Sequence, residues 1–154
     1  MSTLASALQS VRARIDSAAR AAGRDGSEIQ LLAVSKTWPA ACVIAANQVG
    51  QPAFGENYVQ EAIDKARATA DLDLEWHFIG PLQSNKTRLI AENFAWVHSI
   101  ERIRIAERLS AQRPDNLPPL QVCVQVNVSG EASKSGCAPD QALVLCREVA
   151  ALPH

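Results

Sequence analysis

No run of apolar residues in this chain approaches the roughly 20 that a membrane-crossing helix needs. The first stretch, MSTLASALQSVRARIDSAAR, lacks the apolar centre of a secretory signal. It is rich in Ser and Ala and contains arginine, but Asp16 and a helical period favour a plain helix over a transit peptide. An excess of one charge is lacking as well. Fifteen Lys and Arg against 16 Asp and Glu leave a net charge of −1, so no global field favours nucleic acid or an anionic membrane. The four cysteines, Cys42, Cys123, Cys137 and Cys146, form no CxxC pair and have no histidine at metal-ligand spacing. The expectation is reduced, mostly packed thiols in a cytoplasmic protein, with no metal. GxGxxG and P-loop patterns are absent too, which removes the usual nucleotide-binding marks of an open α/β sheet.

What is present suits one sizeable core: 154 residues, 47% of them hydrophobic. Leu4, Leu8, Val11, Ile15 and Ala19 form one stripe of an amphipathic helix over 3–22, opened by Ser2 or Thr3 and stopped at Gly23. A strand–helix unit then repeats. Strands are expected at 29–35, 52–55, 75–80, 95–100 and 120–128, the last being the longest. Helices are expected at 39–49, 57–70, 82–93, 101–112 and 139–152. Alternation of this kind argues for a parallel sheet, either doubly wound or part of a (β/α)8 barrel. "QRPDNLPPL" (112–120) reads as a polar connection within one domain rather than a boundary.

In parallel α/β folds the working residues sit at the carboxyl ends of strands. Here those ends carry Ser35-Lys36, then Gly55-Glu56-Asn57-Tyr58, then His77 with GPLQSNK (80–86), then His98-Ser99, then Asn127 with SGEASKSG (129–136). Lys36 is the sharpest candidate. In "LLAVSKTWP" four apolar residues run straight into Ser35 and Lys36. A lysine at the mouth of a buried strand is partly desolvated, which frees its amine for Schiff-base chemistry with a carbonyl. The alternative is a stem that packs and a head that reaches water. His77 points opposite to Trp76 and Phe78, as a site residue or as a satisfied core histidine; His98 has the same two readings. Asn57 is a candidate beside Gly55 or a helix cap. Lys134 lies in a donor-rich loop that could hold an anion or simply be solvated. Ser84-Asn85-Lys86 could do likewise or cap a helix.

The stretches "AVSKT", "FGENYVQEAIDK", "WHFIGPLQSNKTRLIAENFAWVHSIE" and "VQVNVSGEASKSG" together resemble the pyridoxal-phosphate homeostasis proteins, single-domain relatives of the alanine racemase N-terminal barrel. The resemblance runs from about Leu31 to Gly136. It implies a (β/α)8 TIM-barrel type fold with pyridoxal 5′-phosphate (PLP) at its carboxyl-end mouth, joined to Lys36 as a covalent aldimine. By the same resemblance Asn57 and His77 lie near the cofactor ring, and Lys134 is a further basic residue at the mouth. The family is regarded as non-catalytic. It binds and delivers cofactor, so the implied role is vitamin B6 and amino-acid balance, with PLP-dependent apo-enzymes as partners. The resemblance implies a monomer at full length, and no nucleic-acid or membrane partner is expected. The chain has one tyrosine, Tyr58. Racemase-type enzymes bring a catalytic tyrosine from a second domain of the partner subunit, and two-sided proton transfer needs such an opposed base.

About five of eight strand–helix units are expected, in a single, incomplete domain over 1–154 that ends where a sixth strand should begin. Barrels of this type place their phosphate site after strands seven and eight. The expectations are therefore a covalent anchor without most of the phosphate cup, weakened cofactor affinity, and self-association through an open sheet. Three rivals stand beside cofactor carriage: a racemase or decarboxylase relative using Lys36, a cofactor-free Schiff-base aldolase, and an inactive truncated remnant.

Overall fold

The computed structural model describes residues 3–154. Helix α1 spans Leu4–Ala21, and the Thr3 hydroxyl caps it by accepting from the Ser6 N–H. Ser2, the other expected cap, lies outside the described residues. A turn of 3-10 helix, Gly26–Glu28, follows. The remaining order is β1 (Ala33–Val34), α2 (Ala40–Gln48), β2 (Ala53–Glu56), α3 (Val59–Ala68), β3 (Glu75–Phe78), α4 (Thr87–Asn93), β4 (Trp96–Ile100), α5 (Ile103–Gln112), β5 (Gln121–Val124) and α6 (Ala142–Ala150). The expected strand–helix alternation is present throughout.

The strands form one parallel sheet in the order β1-β2-β3-β4-β5. Each strand is added beside the one before it. Right-handed crossovers then place successive helices on the same side of the sheet, as in one wall of a (β/α)8 barrel. That side holds the core. Phe54, Trp76, Phe78 and Val97 pack there against Val43 and Ala46 of α2, Ile63 of α3, Ile90 of α4, and Ile105 and Leu109 of α5.

Several boundaries differ from expectation. The first strand was expected at 29–35 as a buried element. Only Ala33 and Val34 form the strand, extended by a bond from the Ser35 N–H to the Gly55 carbonyl, and Val34 is 50% exposed. It is an edge strand with helices on one side only. The last strand was expected to be the longest. It has four residues against five in β4. Beyond Val124 the chain folds back, with Asn127 N–H on the Cys137 carbonyl and Cys137 N–H on the Gln125 carbonyl, and Val128 is left exposed. Helix α4 starts at Thr87 rather than 82, because 80–86 is drawn into a loop. There the Ser99 hydroxyl holds the Gly80 carbonyl and Lys86 N–H bonds Gln83. The cysteines are free, but none is buried: Cys42, Cys123 and Cys137 are half-buried and Cys146 is exposed, each on an element flank rather than in the core.

Two arginines tie the elements together. Arg12 of α1 donates to the Val49 and Gly50 carbonyls at the end of α2, the terminus where a helix favours a cation. Arg113, after α5, donates to the carbonyls of Ala91, Phe94 and Pro118. It fastens the Pro-rich connection to the body of the fold.

Candidate functional site

Strand alternation puts Val34 and Lys36 on the face away from the helices, opposite Ser35. In register, Val34 lies beside Gly55, Gly55 beside His77, and His77 beside Trp96. The β1–β2 ladder ends at the Ser35 N–H on the Gly55 carbonyl, and Lys36 follows it in the turn, while β2 and β3 stay joined one step further by Ile79 N–H on the Glu56 carbonyl. Lys36 is exposed. It stands two strands from His77, roughly 10 Å across the sheet.

The backbone on both sides of Lys36 is held from the helix face. Lys65 of α3 is 5% exposed, and its ammonium donates to three acceptors: the Ser35 carbonyl at 2.6 Å, Glu56 Oε1 at 2.7 Å and Glu61 Oε1 at 2.7 Å. Three donors meet three acceptors, so the buried charge is fully bonded. Glu56 is 0% exposed and also accepts from the Ser35 hydroxyl at 2.6 Å, while its Oε2 has no partner. Glu61 accepts from the Thr37 N–H at 2.6 Å. The Lys65 hydrogen bond holds the Glu61 carboxyl below the ordinary glutamate range, against a smaller opposing effect of burial. Ser35 to Trp38 close a turn through Trp38 N–H on the Ser35 carbonyl, and Thr37, its third residue, takes φ +66°. Gly or Asn is preferred there; a β-branched residue in that region costs on the order of 1–3 kcal/mol and persists only where its surroundings hold it.

A second chain of polar groups crosses the sheet. Glu75 accepts from Gln30 Nε2 at 2.9 Å and meets His77 Nε2 at 2.8 Å, while His77 Nδ1 meets His98 Nε2 at 2.8 Å. Since the carboxylate needs a donor, His77 carries a proton on Nε2. A neutral His77 then accepts at Nδ1 from His98. Burial tends to raise the Glu75 carboxyl, but the bonds from His77 and Gln30 outweigh it and leave it lowered. Burial, with the neighbouring His77, lowers His98. Trp96 stacks on the His77 ring, with centroids 5.6 Å apart and planes 2° from parallel.

The remaining sequence candidates separate. Asn57 is no helix cap: Tyr58 holds that position without a side-chain bond. Asn57 Oδ1 is buried and unpartnered, and the Asn57 backbone lies against Gly80, where a Cβ would sit 2.3 Å from the Asn57 carbonyl oxygen. The β2–α3 and β3–α4 loops therefore meet at Asn57 and Gly80. Lys134 is exposed in the loop after β5, and no bond joins it to Lys36, Asn57 or His77. Lys86 precedes α4 without a side-chain cap, so the 84–86 segment is neither a cap by side chain nor part of the Lys36 cluster. Among the described residues no group of three metal-ligating side chains converges. Sequence reasoning placed Glu56 at a strand end without giving it a role, and missed Glu61 and Lys65. The available signals were the four-residue spacing of Glu61 and Lys65 and the place of Lys65 on the Ala62–Thr69 stripe of α3.

A family model described as "Alanine racemase, N-terminal domain" matches residues 7–154. Pyridoxal phosphate homeostasis proteins are similar along the chain. The one from Pseudomonas aeruginosa is 62% identical over 154 residues, covering 100% of this chain and 67% of the relative. The one from Vibrio cholerae is 58% identical over 151 residues, covering 96% and 64%. Among solved structures, PipY of Synechococcus elongatus without PLP superposes with a TM-score of 0.85 at 36% identity, covering 98% of this chain and 66% of that one. PipY with PLP bound gives 0.73 at 40% identity, covering 81% and 58%. Alanine racemase from Corynebacterium glutamicum, at 20% identity, a TM-score of 0.60 and coverage of 81% and 36%, shares the fold. The chain spans about two thirds of the length of these curated relatives.

Proposed function

The chain belongs to the alanine racemase N-terminal domain family, and from that premise we propose that it binds pyridoxal 5′-phosphate covalently through the Lys36 amine. Its role on this reading is cofactor homeostasis and amino-acid balance without catalysis of its own. The observation that carries the reading is the placement of Lys36: an exposed amine on the open sheet face, at a strand's carboxyl end, on a turn fixed from behind by buried charges. PLP is named in the PipY structure that resembles this chain.

The residues present fit one side of such a cofactor. Lys36 supplies the nucleophilic amine. Asn57 offers a carbonyl oxygen that no protein group engages. In the row Gly55, His77 and Trp96, His77 is 4% exposed and the Leu32 and Ile79 side chains approach Gly55, so the stacked His77–Trp96 pair backs the site rather than opening onto it, and Lys134 supplies positive charge in the loop after β5. When bound, the cofactor contributes an electrophilic aldehyde carbon. The protein's own part is to hold the amine toward it and to orient the ring.

The reading without catalysis rests on the lone tyrosine. Tyr58 is 58% exposed beside the first turn of α3, and the charged groups bonded beside Lys36, namely Lys65, Glu56 and Glu61, are engaged with one another and with the turn. The cofactor's apo-enzymes are the expected recipients, and the cytoplasm is the expected compartment; among the described residues no helix is long and apolar enough to cross a membrane. The test is equilibrium dialysis of PLP against the protein and against Lys36→Ala, with racemisation of several amino acids followed by chiral chromatography. Retention by the wild-type protein alone, without racemisation, supports the proposal. Equal retention by both proteins overturns the role of Lys36, and turnover overturns the absence of catalysis.

A further inference from the structure

Lys36 is the second residue of a turn whose third residue, Thr37, sits at φ +66° with a branched side chain. Nothing in the local sequence favours that conformation, since the preferred residues there are Gly and Asn. The turn is instead held at three points. Lys65 fixes the carbonyl before Lys36, Glu61 fixes the N–H after it, and the Glu56 carboxylate fixes the Ser35 side chain. All three holding groups come from β2 and α3, and Lys65 joins the two carboxylates into one unit.

We infer that Lys65, Glu56 and Glu61 are positioning residues that lock the Ser35–Trp38 turn in a strained form and thereby aim the Lys36 amine onto the open face of the sheet. The inference rests on the proposed role of Lys36. A peptide free to relax would take Thr37 to negative φ and rotate the peptide units beside Lys36, redirecting its side chain. The strain is local, but two of the three groups that sustain it, Lys65 and Glu56, are buried and the third, Glu61, is tied to Lys65, so the aim is set largely by the core. The charges matter for the same reason. A carboxylate accepts more strongly from the Thr37 N–H than an amide oxygen does.

The experiment uses the whole chain with Glu61→Gln, Lys65→Met and the double variant Thr37→Gly/Glu61→Gln. Glu61 is partly exposed, so its variant folds even where Lys65→Met does not. Two readouts are taken. Backbone chemical shifts report whether Thr37 keeps positive φ. The rate of PLP attachment, fixed by borohydride and resolved by mass spectrometry, reports Lys36 against Lys86 and Lys134 in the same sample. The expected result is that Glu61→Gln moves Thr37 toward negative φ and slows attachment at Lys36 by about tenfold relative to Lys86 and Lys134, a misplacement effect. Thr37→Gly then restores the rate, because glycine takes positive φ unaided. A merely structural role would not be rescued that way. The inference is overturned if Thr37 keeps its conformation in Glu61→Gln, if the relative rate changes by less than about threefold, or if Thr37→Gly restores nothing. Should the wild-type protein attach no PLP while Glu61→Gln still releases Thr37, the lock stands and the reading of Lys36 as a cofactor anchor falls.

Discussion

Replacing Lys65 with methionine should be the most damaging single change in this region. The side chains of Lys65 and Glu56 are 6% and 0% exposed, and they meet at 2.7 Å. Methionine fills much of the lysine stem but provides no donor. The loss strips one bond from the Ser35 carbonyl, one from Glu56 and one from Glu61. Glu61 can turn to water; Glu56 cannot. Breaking a buried pair by removing one partner costs about 3–5 kcal/mol, mostly the burial of the charge left behind. Native stability of a domain is roughly 5–15 kcal/mol, so about a fifth or more of it is at stake. In urea, with a slope near 2 kcal/mol per molar, the midpoint should fall by about 2 M. The decisive comparison is Lys65→Met/Glu56→Gln. If the cost comes from an abandoned charge, the second substitution neutralises it and the double variant is no less stable than Lys65→Met. A single-variant loss below about 1 kcal/mol, or a double variant in which the two losses simply add, would refute the buried-charge reasoning.

Other outcomes follow from the same contacts. Arg113→Met leaves the carbonyls of Ala91, Phe94 and Pro118 without their donor and should cost about 2–4 kcal/mol in chemical denaturation, since bonds to charged groups are the stronger kind. Gly80→Ala places a Cβ 2.3 Å from the Asn57 carbonyl oxygen; backbone shifts of Asn57 and a lower melting temperature should report the displacement. His98 is lowered by burial and by His77, so the folded state favours its neutral form while the unfolded chain binds the proton. Its contribution to stability is therefore complete above the ordinary histidine value near 6.5 and declines as pH falls from there toward the folded-state value. Denaturation midpoints between about pH 7 and pH 5 should drop less steeply in His98→Gln.

The alternation of strands and helices was legible because each element carries its own period. Boundaries were not, since apolar residues do not stop where a ladder stops. Leu31 and Leu32 continue the apolar run before β1 with no strand pairing, and Val126 and Val128 continue it after β5, where the chain has already turned back toward Cys137. Lys36 was legible as a lysine closing an apolar run, although its strand proved to be an edge with Val34 half-exposed. The groups holding it were not. Glu56 closes a strand, Glu61 lies in the first turn of α3 and Lys65 in its last, a spread that no local pattern joins, and only tertiary packing turns Lys65 inward beneath Ser35. The His77–His98 contact likewise joins residues on neighbouring strands, which no local pattern couples. Arg113 was hidden in a Pro-rich connection that composition marks as solvated.

The proposed capture of PLP falls on one lysine, Lys36. The direct measurement is to mix the protein with PLP, reduce with borohydride, digest, and locate the modified residue by mass spectrometry, beside Lys36→Ala. Modification concentrated at Lys36 in the wild-type protein, with no dominant site in the variant, is the expected result. Modification spread evenly over Lys36, Lys65, Lys86 and Lys134, or unchanged in Lys36→Ala, would contradict it.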